Sequence, residues 1–186
     1  RLPFYVAVVG LVALSSWLLL RGAPESAEGS LRRHLKEVGA KLDRLIESFQ
    51  LEAAGQGLAE VASGSGAAEE DWIDRQMASI EWVRGVKNRL IEALNGKVRY
   101  GTPSFRLRTS ELPKAEVAAA DARRLVVVTA GKMRDVPWSA VDPREVYAMA
   151  TAMLGTERAA DRLGLAVYCL RSGLKSEARK LLESLK

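Results

Sequence analysis

One histidine, His34, and one cysteine, Cys169, are all that the chain offers toward metal and thiol chemistry. A structural zinc site draws four ligands mostly from Cys and His, so a His/Cys cluster is excluded, and a single Cys forbids a disulfide within the chain. His34 lies in a stretch of helical period and reads as a solvated helix residue. Glu69 and Glu70 are adjacent carboxylates, but acid/base work needs two carboxyl groups held about 5 to 10 Å apart. They close the stretch GQGLAEVASGSGAAEE, whose Gly, Ala and Ser content reads as a flexible joint. Gly55, Gly57, Gly64 and Gly66 in that stretch lack the Lys-Ser/Thr pair of a phosphate-cradling loop, and G-x-G-x-x-G, G-x-S-x-G and H-E-x-x-H do not occur. No catalytic, cofactor or metal site is expected, and the chain reads as non-enzymatic.

Basic residues are the remaining candidates. The chain carries 28 Lys and Arg against 23 Asp and Glu, a formal net charge of +5. Lys97, Arg99, Arg106, Arg108, Arg123, Arg124, Lys132 and Arg134 crowd one region. If strand alternation gathers several on one sheet face, that face would suit an acidic partner or lipid headgroups; an ordinary solvated sheet face is the competing reading. Few aromatics interleave with them to stack bases, so nucleic acid is not an expected partner.

These residues need elements to position them. With 186 residues, 48% hydrophobic and 27% charged, the chain allows one ordinary domain or two small ones. Residues 2–20 are almost wholly apolar and uncharged between Arg1 and Arg21. At about 1.5 Å per residue they reach roughly the 30 Å of a bilayer core, so residues 1–21 read as a transmembrane anchor. The run exceeds the apolar core of a cleaved signal peptide, and Arg21 and Glu25 spoil a small-x-small cleavage site. Residues 22–30 form a polar linker.

From residue 31 the spacing changes to alternate steps of four and three. Leu31, Val38 and Leu45 take one seam position and Leu35, Leu42 and Phe49 the other. Residues 31–54 are therefore expected as a helical stalk whose seam mediates oligomerisation; an amphipathic helix lying on its own domain explains the spacing equally well. Residues 55–70 are expected as a flexible linker and residues 71–186 as an α+β head.

Within the head, residues 71–95 have a strong helical period ended by Asn95-Gly96. Trp82 lies off the edge of its apolar stripe and Lys87 interrupts it, which suits either a partner contact or a core helix with a half-exposed Trp. Residues 97–141 drop to a period near two and read as an antiparallel meander of three to five strands, the first region being two strands split by Gly101-Thr102-Pro103. Asp142, Pro143 and Glu145 form a capping-box-like helix start, and residues 143–186 are helical. Trp138 is expected to be buried at the strand-to-helix junction, against Leu163 or Val167.

The segment LGLAVYCLRSGLKSEARKLLESL resembles one tetratricopeptide-type hairpin, with Leu165 and Ala166 in its first helix, Gly173 at the turn, Ala178 where the helices cross and Leu182 beyond. Ala166 stands where that family favours Gly, Cys169 where it favours an aromatic, and no second copy follows. Such repeats need about three copies to build a binding superhelix, so the resemblance implies a packed helical hairpin and not a peptide receptor. The stretch EVAAADARRLVVVTAGKMRDVPWSAV resembles "V-P-W" strand segments of uncharacterised membrane-anchored bacterial proteins, a resemblance that carries no chemistry.

Together these readings describe a mostly helical α+β protein: a transmembrane helix, a short coiled-coil stalk, a small antiparallel sheet and a helical hairpin. The expected role is that of a single-pass membrane scaffold or assembly subunit, its partners being membrane lipid, other proteins and further copies of itself, its head outside the cytoplasm. The alternative is the regulatory or sensory tail of a larger membrane enzyme, such as a receptor-type kinase.

Overall fold

The computed structural model describes residues 27–64, 67–155 and 157–184, so the expected anchor lies outside the described residues. No described helix is long and apolar enough to cross a membrane. The chain divides into two units, residues 1–40 and 41–186. The described part of the first is helical, with Arg32, Arg33, His34, Lys36 and Glu37 exposed and Leu35 and Val38 intermediate. That helix, α1 (Ala27–Glu47), continues into the second unit, which holds α2 (Leu51–Gly64), α3 (Ala67–Leu94), strands β1 (Tyr100–Arg106), β2 (Glu111–Ala120), β3 (Arg124–Thr129) and β4 (Lys132–Pro137), a 3-10 turn (Trp138–Ala140), α4 (Pro143–Leu154), α5 (Ala159–Arg171) and α6 (Lys175–Glu183). The fold is α+β and mostly helical, with one four-stranded antiparallel sheet.

The expected continuous stalk of residues 31–54 is interrupted at Phe49. Its amide donates to the Ile46 carbonyl at 3.0 Å and the Gln50 amide to the Leu45 carbonyl at 2.8 Å, the paired bonds of a Schellman cap. Such a cap puts one residue in the left-handed region, and here it is Phe49, at φ 53°. A non-glycine residue there costs about 1–2 kcal/mol, which the burial of the ring offsets. Phe49 meets Trp138 edge-on at 5.2 Å between ring centroids and Tyr168 at 4.9 Å. No Gly or Pro announces the turn, so the sequence reads straight through it.

Residues 51–64, placed partly in a flexible linker by composition, are helical because Leu51, Ala54 and Leu58 recur on one side and are buried. α3 presents Ile80, Val83, Val86, Leu90 and Leu94 to the core, as its period predicts.

The sheet runs β1-β2-β3-β4 with every neighbouring pair antiparallel. β1 and β2 form one ladder through the position expected to split β1 in two: Thr102 faces Ala115 and Ser104 faces Pro113. Pro103 has no N–H to offer, but at the edge of a sheet that loss is tolerated. Opposite it, Lys114 adopts φ 45°. Ala130 and Gly131, at φ 49° and 74°, make the tight β3–β4 hairpin. Leu107 bridges Val141 antiparallel, tying the residue after β1 to the segment after β4.

Trp138 is buried and donates from Nε1 to the Asp121 carbonyl at 2.8 Å; the ring it meets edge-on is Phe49. Asp142 caps α4 by accepting from the Arg144 amide at 2.8 Å, with Pro143 at the first helical position. Glu145 does not close a capping box. It is 1% exposed and accepts from Tyr100 Oη at 2.8 Å and from the Arg106 amide and Nε, each at 3.3 Å, because β1 lies over its carboxylate and supplies the donors. α5 and α6 form the expected hairpin, with Gly173 at φ 74° in its turn and Ala178 buried.

Candidate interaction site

α5 lies antiparallel on α3 and closer than side chains allow. A Cβ on Gly164 would stand 2.5 Å from Val86 Cγ2 and 2.8 Å from the Trp82 carbonyl oxygen. The two backbones therefore meet at Gly164, leaving no room for a large ring between them, and the Trp82 side chain is turned to the surface at 41% exposure. Polar contacts fix the crossing at both ends. Arg89 pairs with Asp161 at one end. At the other, Arg171 reaches Asp43 at 2.8 Å, Gln76 at 2.7 Å and Ser79 at 3.1 Å.

Between the helices lies an open groove of about 390 Å³, lined by Trp82, Gly85 and Arg89 of α3 and by Arg158, Ala160 and Asp161 near the start of α5. Gly85 and Ala160 keep its floor low, and the side chain of Arg158 has no partner among the described residues. An exposed indole beside a free guanidinium and small residues is the kind of surface in which protein interfaces place their strongest contacts. Trp82 was legible from its place off the apolar stripe. The α5 wall was missed, although the scarcity of polar residues between Ala159 and Leu170 was there to read.

A second depression, of about 270 Å³, is lined by Phe49, Glu52, Arg123, Trp138 and Ser139 among others. Behind it Lys87, 2% exposed, donates to the Phe49 carbonyl at 2.8 Å and the Ala122 carbonyl at 2.6 Å. Burial lowers its pKa, with Glu52 and Asp121 working against the shift. Its ammonium joins the α1–α2 turn to the β2–β3 turn, and its Nζ lies 5.8 Å from the centre of the Phe49 ring. Burial pushes the Cys169 thiol up to about 12, far from the thiolate that nucleophilic chemistry needs. Among the described residues no group of His, Cys, Asp and Glu is placed to hold a metal ion.

The seam residues split between the two units. Leu35 and Val38 lie in the first unit; of Leu31 only the helical backbone is described. In the second unit Leu42 and Phe49 are buried in the chain's own core and Leu45 is intermediate.

The eight basic residues are all exposed, but they do not share a sheet face. Arg124 stands opposite Pro137, on the side of the sheet that carries Asp135, whereas Lys132 and Arg134 stand opposite Thr129 and Val127, on the side of the core, and Arg106 reaches Glu145 beneath β1. Lys97, Arg99, Arg108 and Arg123 lie outside the strands. Several are committed: Arg106 to Glu145, Arg108 to Glu47 at 2.6 Å, and Arg124 to Asp121 and Asp135.

Comparison of the chain with protein-family models, with curated proteins and with solved structures finds no match.

Proposed function

We propose that the chain is a non-enzymatic, single-pass membrane scaffold or assembly subunit whose α+β head engages protein partners at the α3–α5 groove. The observation that carries this reading is Trp82, 41% exposed on a groove of about 390 Å³. An indole costs free energy to leave in water and little conformational entropy to bury, which makes it an effective anchor for a partner. The buried ionisable groups support the same reading. Lys87 is spent on two carbonyls, Glu145 on Tyr100 and Arg106, and Asp161 on Arg89. The anchor rests on residues 2–20 and on the bilayer-length argument alone.

Native mass measurement of the full chain in lipid nanodiscs tests this. A species heavier than one chain of 20.3 kDa, losing mass on Trp82→Ala, supports the proposal. A single chain that shows turnover in a hydrolase and transferase screen replaces it.

A further inference from the structure

We infer that two copies of this chain pair through the outer side of α5, antiparallel, about a two-fold axis passing beside residue 165. The inference rests on the reading of the chain as an assembly subunit and names the partner of the same groove.

α5 is apolar on nearly every side. Leu165, Ala166, Tyr168 and Cys169 are buried in the chain's own core. Ala160, Leu163, Val167 and Leu170 follow one another at spacings of three and four, and so share the outer side, where no charge interrupts them. The two arginines of the helix are drawn elsewhere, Arg171 to Asp43 and Gln76 and Arg162 to the Ser184 carbonyl. A helix apolar on so many sides belongs in an interior, yet among the described residues the outer side of α5 is only partly covered: Ala160 and Leu170 are exposed and Leu163 and Val167 are half-buried.

The relief of that side says what covers it. At its N-terminal end Ala160 opens onto the hollow of about 390 Å³ beside Gly85. At its C-terminal end Leu170 stands out at 52% exposure. Knob and hollow are roughly 15 Å apart along the helix and equidistant from residue 165, as Leu163 and Val167 also are. A two-fold axis there sets each copy's Leu170 over the other's hollow and each Leu163 beside the other's Val167. That is an isologous contact, one surface complementary to itself.

The charges follow the same rotation. α5 runs antiparallel to α3, with Asp161 at Arg89 and Arg171 at Gln76. The axis therefore turns the Arg158 end of one groove toward the end of the other where the exposed Asp71 and Asp74 precede Gln76. A guanidinium without a partner among the described residues of its own chain then approaches carboxylates of the second copy.

Disulfide trapping in membranes containing the full chain decides the matter. Ala160→Cys and Leu170→Cys alter exposed positions and leave the core untouched, while the native Cys169 is buried. The expected result is a covalent two-chain species when the two variants are present together and oxidised, with only background when either is present alone, because like residues lie roughly 15 Å apart. Cross-linking by either variant alone marks a parallel pair and overturns the inference. Absence of the dimer from the mixture overturns it as well. In that case a native mass above 20.3 kDa leaves the assembly reading standing on another surface, whereas a single-chain mass removes both.

Discussion

Lys87 donates a 2.8 Å hydrogen bond to the carbonyl of Phe49, the residue whose positive φ turns α1 into α2. The contact holds a strained turn against the middle of α3 with a buried cation bonded to two carbonyls. Replacing it by a shape-similar apolar group leaves two carbonyls, those of Phe49 and Ala122, without their donor. Each lost bond to a charged group is worth about 1.5–3 kcal/mol, less the desolvation relieved by removing the charge. Lys87→Met should therefore destabilise the fold by about 2–4 kcal/mol, read as a lower urea midpoint. An unchanged midpoint would show that the two carbonyls find water instead.

The helix crossing gives a pair of substitutions with opposite signs. Gly164→Ala drives a methyl into Val86 and the Trp82 backbone and should cost about 1–3 kcal/mol by overpacking. Gly85→Ala, also within a helix, meets nothing within 4 Å and should raise stability by up to about 1 kcal/mol through helix propensity. Thermal midpoints of the two variants moving in the same direction would contradict the close approach at Gly164.

Alkaline pH should weaken the fold. Burial raises the Tyr168 phenol, and burial followed by the bond to Glu145 raises that of Tyr100. The folded state thus keeps protons that the unfolded chain sheds, so their contribution is whole below about pH 10 and declines as pH rises above it. Lys87 acts the other way, since a folded pKa lowered below 10.5 makes stability grow between the two values. Tyr168→Phe should flatten the loss above pH 10 and Lys87→Met should steepen it, as urea midpoints at pH 8 and 10.5 would report.

Cys169 should be silent in the folded protein. Buried, with its thiol raised to about 12, it should react with a thiol reagent at pH 8 only as fast as the chain opens, and readily in urea. Rapid native-state labelling would mean that the α5–α6 hairpin lifts from the core on its own.

Much of the architecture follows from periodicity. The apolar face of α3, the β-branched run of β3, and the Asp142-Pro143 start of α4 can all be read from the chain because each is a local pattern fulfilled locally. The misread elements depend on partners distant in sequence. Phe49 stops α1 without Gly or Pro because Trp138 and Tyr168 hold its ring. α2 is a helix despite its glycines because α3 lies against it. Glu145 leaves its capping role because Tyr100 and Arg106 reach it first. The groove was half legible: Trp82 showed itself by phase, but the hollow beside it needs Ala160 of α5 brought against Gly85 of α3, a meeting of distant residues that no local pattern announces.

The Tyr168 hydroxyl donates to the Glu47 carbonyl at 3.2 Å across 121 residues of chain. On a ribosome adding roughly 5–20 residues per second, the end of α1 emerges some 6 to 24 s before the helix that completes it. Until Trp138 is made Phe49 has neither of its aromatic neighbours, and until Tyr168 is made it has only one, so the turn lacks the packing that holds it. Helices α1 and α2 therefore wait in a provisional state, exposed to chaperones and proteases, until α5 has been made. A stop codon between α4 and α5 should consequently yield a product that is degraded, not a shorter folded domain.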